Sequence, residues 1–380
     1  MTLAGLEPDD RLFLEQVTAF VDHEVLPVAR VRDTQKDYPA DLVRRMRELG
    51  VFGASRRPLP VYALAMEEIA RGWVSLAPIA NAHSSVLWIL RTHGTIDQRQ
   101  VWEDAMSDGE VLAAYALTEP HAGSDVKSVA STGTREPEGW RIRAHKTFIT
   151  HARNAGVLLV LARTDEQATP AHRGLSCFLL RAGEWTVLRD LGKCGSRGVE
   201  TCELVVDDVL VPPDRCIGST PGDGFAQVMG SLELGRLAVA SAAVGVGRAA
   251  LWAARDYAAQ RQAFGQSVID FQGTRFELAD AATKLTAARA LNLMCAEVQQ
   301  QGGRCDFETS MAKVFSSETA VEAALHAVRT VGGAGYVDDY DIERLYRDAA
   351  LYLVGEGANG VLKDLIANRL RTAQPSLQWV

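Results

Sequence analysis

No uninterrupted apolar run in this 380-residue chain approaches the length of about 20 residues that a bilayer requires. The most apolar stretch, Leu237 to Gly247, is rich in small residues and stops at Arg248, so no membrane association is expected. Basic residues are also short: 40 Lys+Arg face 48 Asp+Glu, a formal net charge of -8, which disfavours a nucleic-acid-coating surface. The first ten residues have neither a basic head nor an apolar signal core, and a cytoplasmic location is the expectation. The six cysteines, at 177, 194, 202, 216, 295 and 305, include no Cys-x-x-Cys pair and no histidine at metal-ligand spacing. Reduced, structural cysteines and no metal site are therefore expected.

What is present is ample apolar material, 47% of residues, in a pattern that changes twice. Residues 1–111 read as helical, with Phe13, Val17, Phe20, Val21 and Val25 near a 3.6-residue period and an interruption at Gly50 and Arg56-Arg57-Pro58. Residues 112–222 carry short β-prone runs (140–143, 157–161, 177–180, 185–188 and 202–206) between Gly, Pro and Asp clusters, which predicts an antiparallel β-unit. Residues 223–380 return to helix, with long candidates at 224–260, 271–301, 308–331 and 341–354; Phe276, Leu285, Ala288 and Leu291 give one of them a packed face. Strands and helices are segregated, which excludes a parallel α/β sheet and predicts a mainly helical α+β chain.

Two glycine-rich segments are decoys. Gly355-Glu-Gly-Ala-Asn-Gly360 matches a dinucleotide fingerprint, but no strand candidate precedes it. Gly332-Gly-Ala-Gly335 lacks the Gly-Lys-Ser/Thr of a phosphate loop. His121 and Asp125 are separated by Gly123, and a satisfied loop histidine is the better reading.

The most informative segment is Ala114-Tyr-Ala-Leu-Thr-Glu-Pro-His-Ala-Gly-Ser-Asp125, which turns at Pro120 and Gly123 and offers hydroxyls at Thr118 and Ser124. It resembles the Thr-Glu-Pro-x-Ala-Gly-Ser-Asp signature of the acyl-CoA dehydrogenase family of flavoenzymes. Four further stretches resemble family motifs in the same order: Lys146-Thr-Phe-Ile-Thr150, Arg261-Gln-Ala-Phe-Gly265 with Phe271-Gln272, Val331-Gly-Gly-Ala-Gly-Tyr336, and Arg344-x-x-Arg-Asp348 leading to Glu356-Gly357.

The resemblance implies an N-terminal helical domain, a middle antiparallel β-domain and a C-terminal four-helix bundle, with FAD where they meet. It places Tyr115, Leu117, Thr118, Gly123, Ser124, Phe148 and Thr150 along the flavin, Phe148 in the role of a commoner Trp; a plain core aromatic is the other reading of Phe148. Arg261, Phe264, Gln272, Arg329, Gly332 and Gly333 are implied at the ADP half, partly across a subunit boundary, so a homodimer or homotetramer is expected. Glu356 corresponds to the catalytic base, and desolvation is expected to raise its pKa. Ser124, Glu233, Arg236 and Gly357 are implied on the substrate side. Gly235 stands where isovaleryl-type relatives carry their base, and a helix-helix contact is its structural alternative.

Some positions depart from the family. Between Val51-Phe52-Gly53 and Tyr62 a longer Gly-rich loop is replaced by residues 54–61, Ala358 and Gly360 stand for Thr and Gln, and Val199 stands for Ser. The implied function is FAD-dependent α,β-dehydrogenation of an acyl-CoA or acyl-carrier-protein thioester, with an electron-transfer flavoprotein as acceptor. A flavin oxidase or monooxygenase, or a non-catalytic acyl-carrier-binding homologue, remains open on the same fold.

Overall fold

The structure, a computed structural model, describes residues 6–302 and 305–372. The N-terminal helices are α1 (Pro8–Phe20), α2 (Leu26–Gln35), α3 (Ala40–Glu48), α4 (Leu59–Gly72), α5 (Ala77–His93) and α6 (Ile96–Ser107). Their starts follow local chemistry: proline opens α1, α4 and α5 within the first turn, where no N–H is missed, α1 runs into α2 through a π-turn at Val21–Val25 just ahead of Pro27, and Thr95 with Gln98 forms a reciprocal cap on α6.

Seven strands follow: β1 (Ala113–Ala116), β2 (Thr132–Glu136), β3 (Gly139–Thr150), β4 (Val157–Arg163), β5 (Leu175–Arg181), β6 (Thr186–Asp190) and β7 (Thr201–Val211). They run β1-β4-β2-β3-β7-β6, with β5 on β4. The unit is antiparallel except where β1 lies parallel to β4, pairing Tyr115 with Leu159, and at one parallel β2–β4 bridge, Thr132 to Arg163. A register shift between Lys146 and Ile149 marks a bulge in β3 against β7.

The C-terminal part contains α7 (Gly224–Gln260), a small hairpin β8 (Gln262–Ala263) and β9 (Gln266–Ser267), then α8 (Gln272–Gln300), α9 (Asp306–Val331), α10 (Asp341–Ala349) and α11 (Asn359–Thr372). The strands β1 and β2, the hairpin and α11 are not among the elements read from the sequence. Leu285 and Ala288 are buried as expected, but Phe276 is 60% exposed and lies outside the packed face of α8 within this chain. By length and composition α7 could cross a membrane, yet 72% of its most apolar window is buried, which makes it a core helix. It crosses α4 so closely that a Cβ on Gly245 would sit 2.0 Å from the Glu67 carbonyl oxygen.

One hydrophobic core joins the two helical parts. Val17, Met46, Tyr62 and Ile69 belong to the same buried cluster as Leu234, Ala238, Ala324 and Leu345. The sheet has its own core around Ile142, Leu158, Phe178 and Leu204. None of the six cysteines is in a disulfide; five are buried and Cys194 is exposed. Among the described residues no cluster of His, Cys, Asp or Glu is placed to hold a metal ion.

The short segment before α4 is fixed at both ends. Arg57 pairs with Asp10 at 2.6 Å and lies over the Phe13 ring, and the Leu59 N–H donates to Gln300 Oε1 at 2.8 Å.

Candidate active site

Glu356 sits in the turn between α10 and α11, with φ +52, followed by Gly357 at φ +98. This left-handed pair, uncommon for a glutamate, swings the side chain inward. Residue 356 as a whole is half-buried, while its Oε2 is buried and has no hydrogen-bond partner among the described residues. Oε1 accepts a hydrogen bond from Asn81 Nδ2 at 3.0 Å. Gly235 on α7 makes the room: a Cβ there would lie 2.7 Å from Oε2. Burial pushes the Glu356 carboxyl above its ordinary value, opposed by Arg236, the Asn81 hydrogen bond and Lys313.

The turn is held from α9. Lys313, fully buried, donates to the Gly357 carbonyl at 2.7 Å and to Asn359 Oδ1 at 2.8 Å. Burial pulls the Lys313 ammonium down to about 8, against the pull of Glu356. Arg236 is half-buried, its Nε has no partner, and burial lowers its pKa against Glu356 and Glu233. Glu233, three residues earlier on α7, accepts from Cys305 Sγ at 3.0 Å.

A second group lies at the end of the sheet. The bulge in β3 gives Phe148 φ +59 and turns its ring out, 65% exposed, so it is not a core aromatic. Thr118 is joined to this strand by the Thr147 N–H, which donates to the Thr118 carbonyl at 2.9 Å. Thr118 and Thr150 are half-buried and Ser124 is exposed. Tyr115 and Leu117 are half-buried, and the Tyr115 hydroxyl is 2.7 Å from Ser231 Oγ on α7. Gly123 lies on the open side of the turn, where a Cβ would meet only Thr118 Cγ2 at 3.8 Å.

Buried Lys146 anchors this loop, donating to Leu117 O at 3.1 Å, Glu119 Oε1 at 2.8 Å and Leu161 O at 2.8 Å. Burial pulls Lys146 down to about 8, whereas Lys146 and the Ser131 and Ala130 donors hold Glu119 below its ordinary value despite burial; we read the pair as ionic at neutral pH. His121 is exposed, its Nε2 3.4 Å from Glu119 Oε2. An out-turned aromatic face with hydroxyls and backbone groups beside it suits a flat amphipathic ring such as the flavin of FAD.

The remaining expected residues stand apart. Arg261, Phe264 and Gln272 are exposed around β8–β9 and the start of α8; Phe264 is 98% exposed. Arg329, Gly332 and Gly333 are exposed at the end of α9, and a Cβ on either glycine would meet nothing within 4 Å. Among the described residues no hydrogen bond or ion pair links this group to Phe148 or Glu356.

Asn81 and Lys313 were not among the residues expected from the sequence. A lysine between Ala312 and Val314 in an apolar helix was the available signal for Lys313. Asn81 carried no local signal.

The chain matches three family descriptions in order: Acyl-CoA dehydrogenase, N-terminal domain over residues 7–110, middle domain over 114–209, and C-terminal domain over 222–371. It is 34% identical to an acyl-CoA dehydrogenase of Bacillus subtilis, covering 94% of this chain and 96% of that protein. It is 33% identical to the mitochondrial short-chain specific acyl-CoA dehydrogenase of Homo sapiens, covering 95% and 89%. The solved butyryl-CoA dehydrogenase of Megasphaera elsdenii superposes with a TM-score of 0.93 at 30% identity, over 97% of this chain and 99% of that one. The chain therefore belongs to the acyl-CoA dehydrogenase family, FAD flavoproteins that are oxidoreductases acting on CH–CH bonds.

Proposed function

We propose that the chain removes hydrogen from the α and β carbons of an acyl thioester, giving the trans-2-enoyl thioester, with Glu356 as the α-proton base. The observation that carries this reading is the Glu356 carboxylate, set between α5 and α7 with one oxygen buried and unpartnered. Desolvation makes it a stronger base than a solvated glutamate, which the weakly acidic α-proton requires.

The Glu356 N–H has no backbone partner among the described residues and is free to donate to the thioester carbonyl as negative charge develops there. Arg236 and Lys313 add positive potential on the same side. Gly357, whose carbonyl is occupied by Lys313, lets the chain pass close to the substrate. Ser124 and Glu233 are assigned to the carrier arm.

FAD would be held by Tyr115, Leu117, Thr118, Gly123, Ser124, Phe148 and Thr150, and when bound it supplies the two-electron acceptor for the β-hydrogen. Arg261, Phe264, Gln272, Arg329, Gly332 and Gly333 are assigned to the ADP half of a neighbouring subunit's FAD, which requires a homodimer or homotetramer. Their exposure supports that reading. Domains at 1–111, 112–222 and 223–380, an electron-transfer flavoprotein as acceptor and a cytoplasmic location complete the proposal.

The test is anaerobic mixing of FAD-loaded protein with butyryl-CoA and with a butyryl-carrier-protein thioester, followed by flavin bleaching. Wild type bleaches with at least one carrier, and Glu356→Gln retains FAD without bleaching. Bleaching of Glu356→Gln at the wild-type rate overturns the assignment.

A further inference from the structure

We infer that Asn81 is a positioning residue that fixes the bearing of the Glu356 carboxylate, a role that rests on Glu356 being the base. The contact joins residues 275 apart in sequence, from α5 to the turn after α10, at 3.0 Å. Among the described residues it is the only hydrogen bond the carboxylate receives. Asn81 is 6% exposed, its own Oδ1 is buried without a partner, and among the described residues its amide makes no other hydrogen bond. An ionised carboxylate only accepts, which requires the amide to present its nitrogen.

The other groups that interact with the carboxylate lie on four elements. Arg236 on α7 and Lys313 on α9 are cations, Tyr62 on α4 and Tyr115 on β1 are phenols, and Gly235 on α7 contributes only space. Neither cation lies within ion-pair distance of Glu356 among the described residues. The division of labour has a chemical reason. A direct ion pair would fix the carboxylate but weaken it as a base, whereas a neutral amide donor orients one oxygen and leaves the other, Oε2, with its lone pairs free.

The donor also stabilises the charged form over the protonated one, so its removal must raise the proton affinity of Glu356. This gives the role a signature that simple packing lacks. The experiment uses FAD-loaded Asn81→Leu, close in volume but without a donor, and Asn81→Ala for the case in which Leu does not fold. The carboxyl band of Glu356, identified by its absence in Glu356→Gln, is titrated by infrared difference spectroscopy, and the acid limb of flavin reduction by butyryl-CoA is measured alongside.

The expected result is an upward move of the infrared midpoint by about one unit, a tenfold rise in proton affinity. The acid limb follows by the same amount, kcat falls while KM changes little, and FAD content is unchanged. An infrared midpoint that stays at the wild-type value in both variants overturns the inference. Glu356→Gln that still bleaches at the wild-type rate overturns the base assignment instead, and the infrared midpoint decides the Asn81 contact independently of it.

Discussion

Lys313 Nζ reaches from the buried face of α9 to the Gly357 carbonyl at 2.7 Å, so the residue after the proposed base is pinned by an ammonium that solvent does not touch. Lys313→Met removes the pin and leaves the Gly357 carbonyl without its donor, while Asn359 Oδ1 keeps only the Ser317 hydroxyl at 3.3 Å. The expected destabilisation is about 1–3 kcal/mol, the usual cost of stranding buried polar groups, read as a lower midpoint in urea unfolding. A midpoint equal to wild type would show that the turn holds itself.

The same lysine gives the pH profile two sides. The base must be ionised, so flavin reduction falls as pH drops through the raised Glu356 value, and the acid limb lies above the ordinary glutamate range. On the alkaline side Lys313 loses its charge near pH 8, and with it the potential that favours the carboxylate and developing enolate charge. A bell-shaped kcat profile is expected for wild type, and Lys313→Met is expected to lack the alkaline limb. An alkaline limb that persists in the variant would assign it to another group.

Gly235→Ala probes the space rather than the charge. The new methyl would lie 2.7 Å from Glu356 Oε2, so the carboxylate must shift. A shift of about half an ångström relieves the contact, and since about 1 Å costs roughly a hundredfold in rate, a loss of about tenfold in flavin reduction is expected with FAD still bound. The helix itself tolerates alanine well, so the thermal midpoint separates loss of geometry from loss of fold. Wild-type kcat would mean that the carboxylate does not rest there during turnover.

Phe264 tests the assembly. At 98% exposure and φ +50 its ring contributes little to the folded monomer, and Phe264→Asp is expected to change monomer stability by no more than about 0.5 kcal/mol. If a second copy covers the ring, the substitution lowers the mass measured by light scattering and releases FAD. Unchanged mass and FAD content would place the subunit boundary elsewhere.

The legible parts of this chain were those whose signal is local. The long helices at 224–260 and 272–300 announced themselves by periodicity, and β3 to β7 by short β-prone runs between turn residues. β1 and its parallel pairing with β4 were not visible, because Ala113–Ala116 is four residues long, three of them alanine, and carries no β-prone pattern. The two residues of β8 and of β9 are too short for any pattern, and α11 begins inside a glycine-rich stretch that masks its start.

At the site, Glu356 and Phe148 were found through motif resemblance, but their environments were not. Phe148 carried a second reading, as a core aromatic, until the bulge showed its ring turned outward. Asn81 becomes informative only when α5 is packed against α7, since nothing within several residues of it in sequence concerns Glu356. Long-range register is a property of packing, and it is where reading along the chain stops.

The core shared by the two helical parts has a consequence for the order of folding. During synthesis α4 and α5 emerge long before α7, with the whole sheet between them, and the buried cluster of Tyr62, Ala65 and Ile69, begun with α1 and α3, gains its α7 members only after residue 234 has left the ribosome. The nascent N-terminal helices thus expose apolar surface for the time taken to make about 160 residues, on the order of ten to thirty seconds at usual rates. The sheet, closed on its own core, can form meanwhile. This chain is therefore built as an early, waiting half and a late half that completes it, and the proposed base arrives only shortly before α11.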